Sequence, residues 1–154
     1  MRDKVRNQVI PIAHETRLVG EKIQQRFPNF FSHKLTGLCG ICSYILFKRL
    51  IAECDGAIKF AGNNLHSFVY VDDWIVDVTA TQFDKTGQIY FVEKSKIKPI
   101  PMYWQPKLIG KTVGDMRHFF INCDWPDQQN PYSSFWKRKF DLPITMGDVY
   151  AWYN

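Results

Sequence analysis

The stretch from His66 to Thr79 constrains the fold more than any other part of the sequence, because it predicts a β-hairpin. Two runs rich in Val, Ile, Phe, Tyr and Trp flank Asp72 and Asp73, which are typical turn residues. Side chains alternate across a strand, so a turn at the two aspartates places His66 and Asp77 on one face as diagonal neighbours. The pattern therefore predicts that an imidazole and a carboxylate lie within reach of each other.

The other face of the hairpin predicts the core, since it is apolar apart from one serine. It carries Ser67, Val69, Val71, Trp74, Val76 and Val78. On the first face, the Asp77 carboxylate lies among apolar neighbours, where an unpaired charge is costly. His66 is its nearest partner. A carboxylate holds an imidazole in one tautomer and raises its affinity for a proton, which a general base beside a thiol requires.

The segment before the hairpin predicts a buried helix that begins near a cysteine. Residues 38–53 carry an apolar stripe between two glycine-containing stretches. Cys39 falls in the first turn, where exposed backbone amides and the positive end of the helix dipole favour a thiolate. Cys39, His66 and Asp77 thus supply, in chain order, the residue types of a nucleophile, a general base and an orienting carboxylate.

The remaining elements predict an α+β fold, in which a helix precedes an antiparallel β-meander. They are an amphipathic helix between Pro11 and Pro28, strands at 57–61 and 88–93, an extended loop at 96–106 and short helices at 112–121, 131–140 and 145–152. A length of 154 residues predicts a single domain over residues 1–154. N- and C-terminal helices would flank the central helix and sheet.

Composition excludes several classes of protein. With 45% hydrophobic and 16% aromatic residues, the chain can fill a core, which excludes a disordered or collagen-like chain. The uncharged apolar runs are too short to span a membrane, and the charged first residues lead into no secretory signal. We expect a cytoplasmic protein, or one secreted by a route that needs no signal peptide. The net charge of +5 identifies no partner, and the sequence does not predict an oligomeric state.

Two blocks of the sequence resemble the papain-like and transglutaminase-like superfamily of Cys-His-Asp proteins. The first block is 37–43, around Cys39, and the second is 66–83, which contains His66 and Asp77. The succession of histidine, apolar strand, turn and Asp-Val-Thr is similar to that of the compact bacterial and phage members. The resemblance covers roughly residues 36–93.

This resemblance implies a papain-like fold, in which the helix that carries the nucleophile packs on the antiparallel meander. It implies that Cys39 attacks an amide or acyl carbonyl, that His66 takes and returns the proton, and that Asp77 orients the imidazole. Peptide hydrolysis, glutamine deamidation and acyl transfer all remain open, with a protein or peptide as substrate. The resemblance implies no cofactor and no metal.

Cys42 is the alternative nucleophile. Papain itself uses the second cysteine of a Cys-Gly-x-Cys sequence, which corresponds to Cys42 here. Cys42 also lies on the apolar stripe of the predicted helix, and small buried cysteines are common structural residues. Helix position and dipole therefore favour Cys39.

Two minor alternatives use the same cysteines. Cys39 and Cys42 satisfy the C-x-x-C pattern of thiol redox proteins, but the strand that precedes such a motif is missing. A zinc site from Cys39, Cys42, Cys54 and His66 has suitable ligand types but would require the predicted helix to open. We expect neither.

A non-enzymatic alternative comes from the C-terminal part of the chain. The run 132–140 combines aromatic residues with Lys137, Arg138 and Lys139, which could stack bases and neutralise phosphates. Three adjacent cations more often form a solvated helix face. A basic nucleic-acid-binding module is therefore the alternative function, and nucleic acid is not the expected partner.

Overall fold

The structure is a computed structural model that describes residues 1–31, 33–83, 85 and 87–136. It is an α+β fold, as the sequence predicts, and it is built from α-helices and a five-stranded antiparallel sheet. The helices are α1 (Asp3–Arg26), α2 (Cys39–Glu53) and α3 (Val113–Asn122), and the strands are β1 (Ile58–Gly62), β2 (Ser67–Val71), β3 (Trp74–Asp77), β4 (Tyr90–Glu93) and β5 (Leu108–Gly110).

The sheet has the strand order β4-β3-β2-β1-β5, so its first four strands form the predicted meander. In the β2–β3 hairpin, Val71 pairs with Trp74 and Tyr70 with Ile75, which is the predicted register. Strand β5 pairs with β1 at the other edge of the sheet. The sequence does not predict β5, because a strand of three residues is too short to show an alternating pattern.

Helix α1 begins earlier than the sequence predicts. The sequence predicts a start after Pro11, whereas the helix begins at Asp3 and includes Pro11. Proline removes one hydrogen-bond donor, and this loss is local. Val5 and Val9 extend the buried stripe of α1 into its first turns, and both are fully buried. This packing holds the additional turns in place despite the proline.

Helix α2 lies where the sequence predicts and begins with Cys39. Leu38 is its N-cap, and Gly37 before it has a φ of +86°, a left-handed conformation that favours glycine. The predicted stripe residues Ile45 and Leu50 are fully buried. The glycine therefore ends the preceding turn, and the apolar stripe directs the helix onto the sheet.

Both faces of the sheet are covered. On one face, Val69, Val71, Val76 and Val78 pack with apolar residues of α1, α2 and α3. On the other face, Trp104 and its neighbours in the chain cover a second, smaller core that includes Phe68, Tyr70 and Ile75. The segment predicted as extended loop at 96–106 thus packs on the second face of the sheet. It contains short 3-10 turns at Lys94–Lys96 and Met102–Trp104.

Helix α3 confirms the predicted helix at 112–121. Thr112 is its N-cap and forms a reciprocal capping box with Asp115. Residues 137–140 of the predicted helix at 131–140, and the whole predicted helix at 145–152, lie outside the described residues. Within the part of the chain that the structure describes, no helix is long and apolar enough to cross a membrane.

Candidate active site

The predicted contact between His66 and Asp77 is present. His66 immediately precedes β2, and Asp77 is the last residue of β3, so the β2–β3 pairing brings them together at one end of the sheet. The distance from His66 Nε2 to Asp77 Oδ2 is 2.7 Å. Both side chains are almost fully buried, with 0% and 1% of their surface exposed. The hydrogen bond is therefore shielded from water.

Asp77 accepts hydrogen bonds at both carboxylate oxygens. Its Oδ1 accepts from the backbone N–H and the hydroxyl of Thr79, at 2.9 and 3.1 Å. Its Oδ2 accepts from His66 and from the indole N–H of Trp104, the latter at 2.9 Å. A buried carboxylate needs such donors to stay ionised, and here they come from three parts of the chain.

The electrostatics of this pair favour the charged forms of both groups. Burial acts to lower the pKa of His66, but the Asp77 charge, the hydrogen bond to it and the Cys39 side chain raise that pKa to about 10. Burial acts to raise the pKa of Asp77, but the charge and hydrogen bonds of His66 and Trp104 hold it below its usual value. The pair therefore favours the imidazolium form of His66 beside the Asp77 carboxylate.

Cys39 lies near the same imidazole. After burial and Asp77, its side chain is a further influence on the ring and acts to raise the pKa of the histidine. His66 Nε2 bonds Asp77, and the other ring nitrogen, Nδ1, faces the Gln82 amide. The structure thus joins His66 to Asp77 directly and places the Cys39 side chain where it influences the imidazole. Their catalytic roles remain predictions.

Asn63 fixes the backbone on one side of the histidine. Its side-chain oxygen accepts from the backbone N–H groups of Leu65 and His66, at 2.8 and 2.9 Å. Its side-chain nitrogen donates to the carbonyls of Met102 and Gln105, at 3.2 and 2.9 Å. Asn63 therefore ties the residues before His66 to the segment that carries Trp104.

Arg17 fixes the backbone on the other side of the site. Its guanidinium is buried and donates from Nη1 to the carbonyl of Val78 at 2.9 Å and to the hydroxyl of Thr81 at 2.8 Å. Its Nε pairs with Glu21 at 2.9 Å. Helix α1 thus holds the segment that follows Asp77 through the hydrogen bonds of Arg17.

The site is enclosed by aromatic rings and by a loop. Phe83 meets the His66 ring edge to face at 4.9 Å and stacks on Tyr103 at 4.0 Å. Over the start of α2, a Cβ added at Gly40 would overlap the carbonyl oxygen of Gln129 and lie 2.9 Å from the Trp125 ring. The Cys39 residue is accordingly only 4% exposed.

The other cysteines and histidines lie in different settings. Burial raises the pKa of the Cys42 thiol, which is fully enclosed on the α2 stripe. Cys54 and Cys123 are half-buried, and all four cysteines are free thiols. His14 and His118 are exposed on α1 and α3. Among the described residues, no group of three or more His, Cys, Asp or Glu side chains is arranged to hold a metal ion.

Sequence reasoning missed several residues of the site. Trp104 appears in the sequence only as an aromatic residue in a proline-rich stretch, and no periodicity links it to Asp77. Gln82 lies beside the imidazole, with its amide nitrogen 3.4 Å from His66 Nδ1 and 3.1 Å from the carbonyl of Thr79. Thr79 and Gln82 lie within the block 66–83 that resembles the superfamily. Their location in this block was the signal that could have indicated a place in the site.

The basic run that suggests nucleic-acid binding is not placed by the structure. Lys137, Arg138 and Lys139 lie outside the described residues. Tyr132 is described, and its ring packs edge to face on Tyr44 of α2 at 5.4 Å. This tyrosine therefore contributes to the core rather than to an exposed stacking platform.

Comparisons with known proteins add no family to this description. No family model matches the chain, and neither the curated proteins nor the solved structures contain a significant match. The fold and the site define an α+β protein in which a buried imidazole bonds a carboxylate at one end of a β-hairpin, near the cysteine that begins a helix.

Proposed function

We propose that the chain is a cysteine-dependent amide hydrolase or acyl transferase, with a papain-like or transglutaminase-like arrangement of its site. Cys39 is the nucleophile, His66 the proton carrier and Asp77 the residue that orients the imidazole. One observation carries the proposal: a single buried imidazole bonds the Asp77 carboxylate, and the Cys39 side chain acts with Asp77 to raise the pKa of that imidazole. The position of the cysteine at the start of a helix, before a hairpin that supplies the other two residues, also supports it.

The first half of the reaction uses the charged pair. His66 takes the thiol proton of Cys39, which leaves a thiolate beside an imidazolium, and the raised pKa of His66, about 10, keeps that proton on the ring at neutral pH. The Cys39 sulfur attacks the carbonyl carbon, a sulfur–carbon bond forms, and the carbonyl electrons move to the oxygen. Backbone amides at the start of α2, including that of Cys39, stabilise this oxyanion. The carbon–nitrogen bond then breaks, and His66 gives its proton to the leaving amine.

The second half releases the acyl group. The neutral His66 takes a proton from an incoming water or amine, which attacks the thioester carbon, and the carbon–sulfur bond breaks. Attack by water gives peptide hydrolysis or, on a glutamine side chain, deamidation, whereas attack by an amine gives acyl transfer. Asp77 keeps the imidazole in place throughout, because Trp104 and Thr79 hold its carboxylate.

A substrate must displace part of the cover to reach the thiol. Cys39 is 4% exposed, and a peptide carbonyl needs to approach its sulfur to about 3–3.5 Å for attack. Two groups of residues close the site: the stacked rings of Phe83 and Tyr103 over His66, and the segment 125–129 over Gly40. The proposed reaction therefore includes an opening step at one of these covers.

Thiol reactivity tests this proposal directly. Iodoacetamide at pH 6–7, below the ordinary cysteine pKa of about 8.5, should alkylate Cys39 much faster than Cys54 or Cys123. His66→Ala should abolish the difference, and His118→Ala, at an exposed histidine on α3, is the matched control. Mass spectrometry of the labelled peptides reads each cysteine separately. Equal, slow labelling of all three cysteines contradicts the proposal.

Product analysis then distinguishes the three reactions. A pool of unmodified peptides is assayed for new amino termini, for ammonia released from glutamine, and for incorporation of an added primary amine. Cys39→Ala should abolish whichever product forms, and Cys42→Ala should retain it, because the Cys42 thiol is buried and has a raised pKa. An activity that survives Cys39→Ala but not Cys42→Ala assigns the nucleophile to Cys42 and contradicts the assignment made here.

A further inference from the structure

Two buried serines join the helix that begins with Cys39 to the strand that follows His66. Ser67, the first residue of β2, donates from its hydroxyl to the backbone carbonyl of Cys39 at 3.1 Å. The hydroxyl of Ser43, one turn further along α2, lies 2.6 Å from that of Ser67 and 3.2 Å from the carbonyl of Gly40. Both serines are almost fully buried.

The hydrogen atoms of the two hydroxyls can be counted. Each hydroxyl has one proton, so two protons serve three contacts. Three arrangements are possible: Ser43 donates to Ser67 and Ser67 to the carbonyl of Cys39, Ser67 donates to Ser43 and Ser43 to the carbonyl of Gly40, or each serine donates to its respective carbonyl. In each arrangement a hydrogen bond from Ser67 connects β2 to α2. The connection therefore persists whichever way the hydroxyls rotate.

Packing alone does not explain this pair. Apart from Trp74, the other residues on this face of the hairpin are valines that pack against the helices, and a hydroxyl buried among them is costly unless it is hydrogen-bonded. Replacing both partners of such a pair by apolar groups is often nearly neutral for stability. Alanines at these two positions would pack without any hydrogen bond. The hydroxyl pair at the start of α2 and β2 is therefore a specific connection between the two elements.

We propose that Ser67, supported by Ser43, is a positioning residue that fixes the distance between Cys39 and His66. Ser67 is the next residue after the histidine and is bonded to the cysteine's own carbonyl. A displacement of either element relative to the other is opposed by this bond. The inference rests on the proposed function, since it concerns the geometry of the thiol and the imidazole.

The main test is the alkylation rate of Cys39 in Ser67→Ala at pH 6–7. A 1 Å misplacement of reacting groups can cost on the order of 100-fold, and we expect the loss of one hydrogen bond to slow Cys39 on the order of tenfold. The rates at Cys54 and Cys123 should not change. Val69→Ala is the matched control: it lies on the same strand and face and removes core contacts without touching either carbonyl.

A second measurement reports the contact without requiring reactivity. The Cys39 side chain contributes to the raised pKa of His66, so a looser contact lowers that pKa. NMR titration of His66 should therefore give a lower pKa in Ser67→Ala than in the wild type, with Cys39→Ala setting the lower limit. Val69→Ala should retain the wild-type value. Ser43→Ala should produce smaller effects than Ser67→Ala, because Ser67 keeps its own bond to Cys39.

The outcomes separate the two proposals. Wild-type Cys39 that labels no faster than Cys54 overturns the proposed function, and the His66 titration then still decides the role of Ser67. Fast wild-type labelling with no change in rate or His66 pKa in Ser67→Ala overturns this inference alone. An equal slowing in Val69→Ala, or a larger effect in Ser43→Ala, also overturns it. If Ser67→Ala is too unstable to measure, Ser67→Cys keeps a side chain of similar size with a weaker donor. It should change the Cys39 rate and the His66 pKa in the same direction, and by more than Val69→Ala does.

Discussion

Trp104 donates its indole N–H to the same oxygen of Asp77 that bonds the His66 ring, at 2.9 Å. The tryptophan is fully buried, and it lies on a 3-10 turn that covers the second face of the sheet. Trp104 therefore packs in the second core and contacts the candidate site through its indole nitrogen. Its contribution to the charge of Asp77 can be separated from its packing, because phenylalanine keeps a ring but has no N–H.

Trp104→Phe should destabilise the fold and make it more sensitive to acid. Loss of a hydrogen bond to a charged group costs about 1.5–3 kcal/mol, and some loss of packing adds to it. The pKa of Asp77 rises when the donor is removed, so the stability that depends on its charge is lost at a higher pH during acidification. Urea unfolding from pH 7 to pH 3 measures both effects. Trp136→Phe is the control, since its N–H donates to a neutral carbonyl; an equal acid sensitivity would contradict the prediction.

Asp77→Asn should lower the pKa of His66. The Asp77 charge and its hydrogen bond oppose burial and raise the pKa of the histidine to about 10. Without that charge, burial dominates and the pKa of His66 falls towards or below its ordinary value of about 6.5. NMR titration of the ring measures the change. Asp73→Asn makes the same substitution at the exposed turn of the same hairpin and should leave His66 unchanged.

His66 should also give the folded protein a specific dependence on pH. Its pKa is raised in the folded state, so the stabilisation is fully present below the unfolded value of about 6.5 and is lost as pH rises towards about 10. The free energy of unfolding should therefore fall more steeply over this range in the wild type than in His66→Gln. Subtracting one curve of unfolding free energy against pH from the other cancels the contribution of the remaining titratable groups. Parallel curves would show that His66 has the same pKa in both states.

The hairpin and the site pair were predictable because they depend on local signals. The turn residues Asp72 and Asp73 fix the register, and the alternation of side chains then places His66 beside Asp77. The start of α2 was equally accessible from Gly37 and the apolar stripe that follows it. These signals lie within a few residues of the features that they determine.

The donors that complete the site were not predictable, because they depend on contacts between distant parts of the chain. Trp104 is 27 positions from Asp77, and Arg17 is 61 from Val78. Neither spacing follows from a helical or strand period. The early start of α1 has the same origin, since tertiary packing of its first turns outweighs the proline inside it.

The cover over the site should discriminate between thiol reagents by size. Cys39 is 4% exposed, whereas Cys54 is half-buried at the end of α2. A small reagent such as iodoacetamide needs less opening of the cover than a maleimide with a bulky substituent. The ratio of the small-reagent rate to the bulky-reagent rate should therefore be larger for Cys39 than for Cys54. Equal ratios would show that opening the cover does not limit access to Cys39.

Gly40 provides a comparison with a second glycine in an equivalent position. Gly40 and Gly114 are the second residues of α2 and α3. An added Cβ at Gly40 would overlap the carbonyl oxygen of Gln129 and press on Trp125, whereas at Gly114 the nearest atom is the Thr112 hydroxyl oxygen at 3.6 Å.

Gly40→Ala should therefore destabilise the protein by about 1–3 kcal/mol, as overpacking does, by displacing the segment 125–129. Gly114→Ala should be neutral or stabilise it by up to about 1 kcal/mol, because alanine is the better helix former. Urea unfolding measures both changes. The displaced segment is also part of the cover, so Gly40→Ala should narrow the difference between small and bulky reagents at Cys39. Equal stability of the two variants would show that the segment 125–129 can move without lowering the free energy of unfolding, and that it does not hold the site closed.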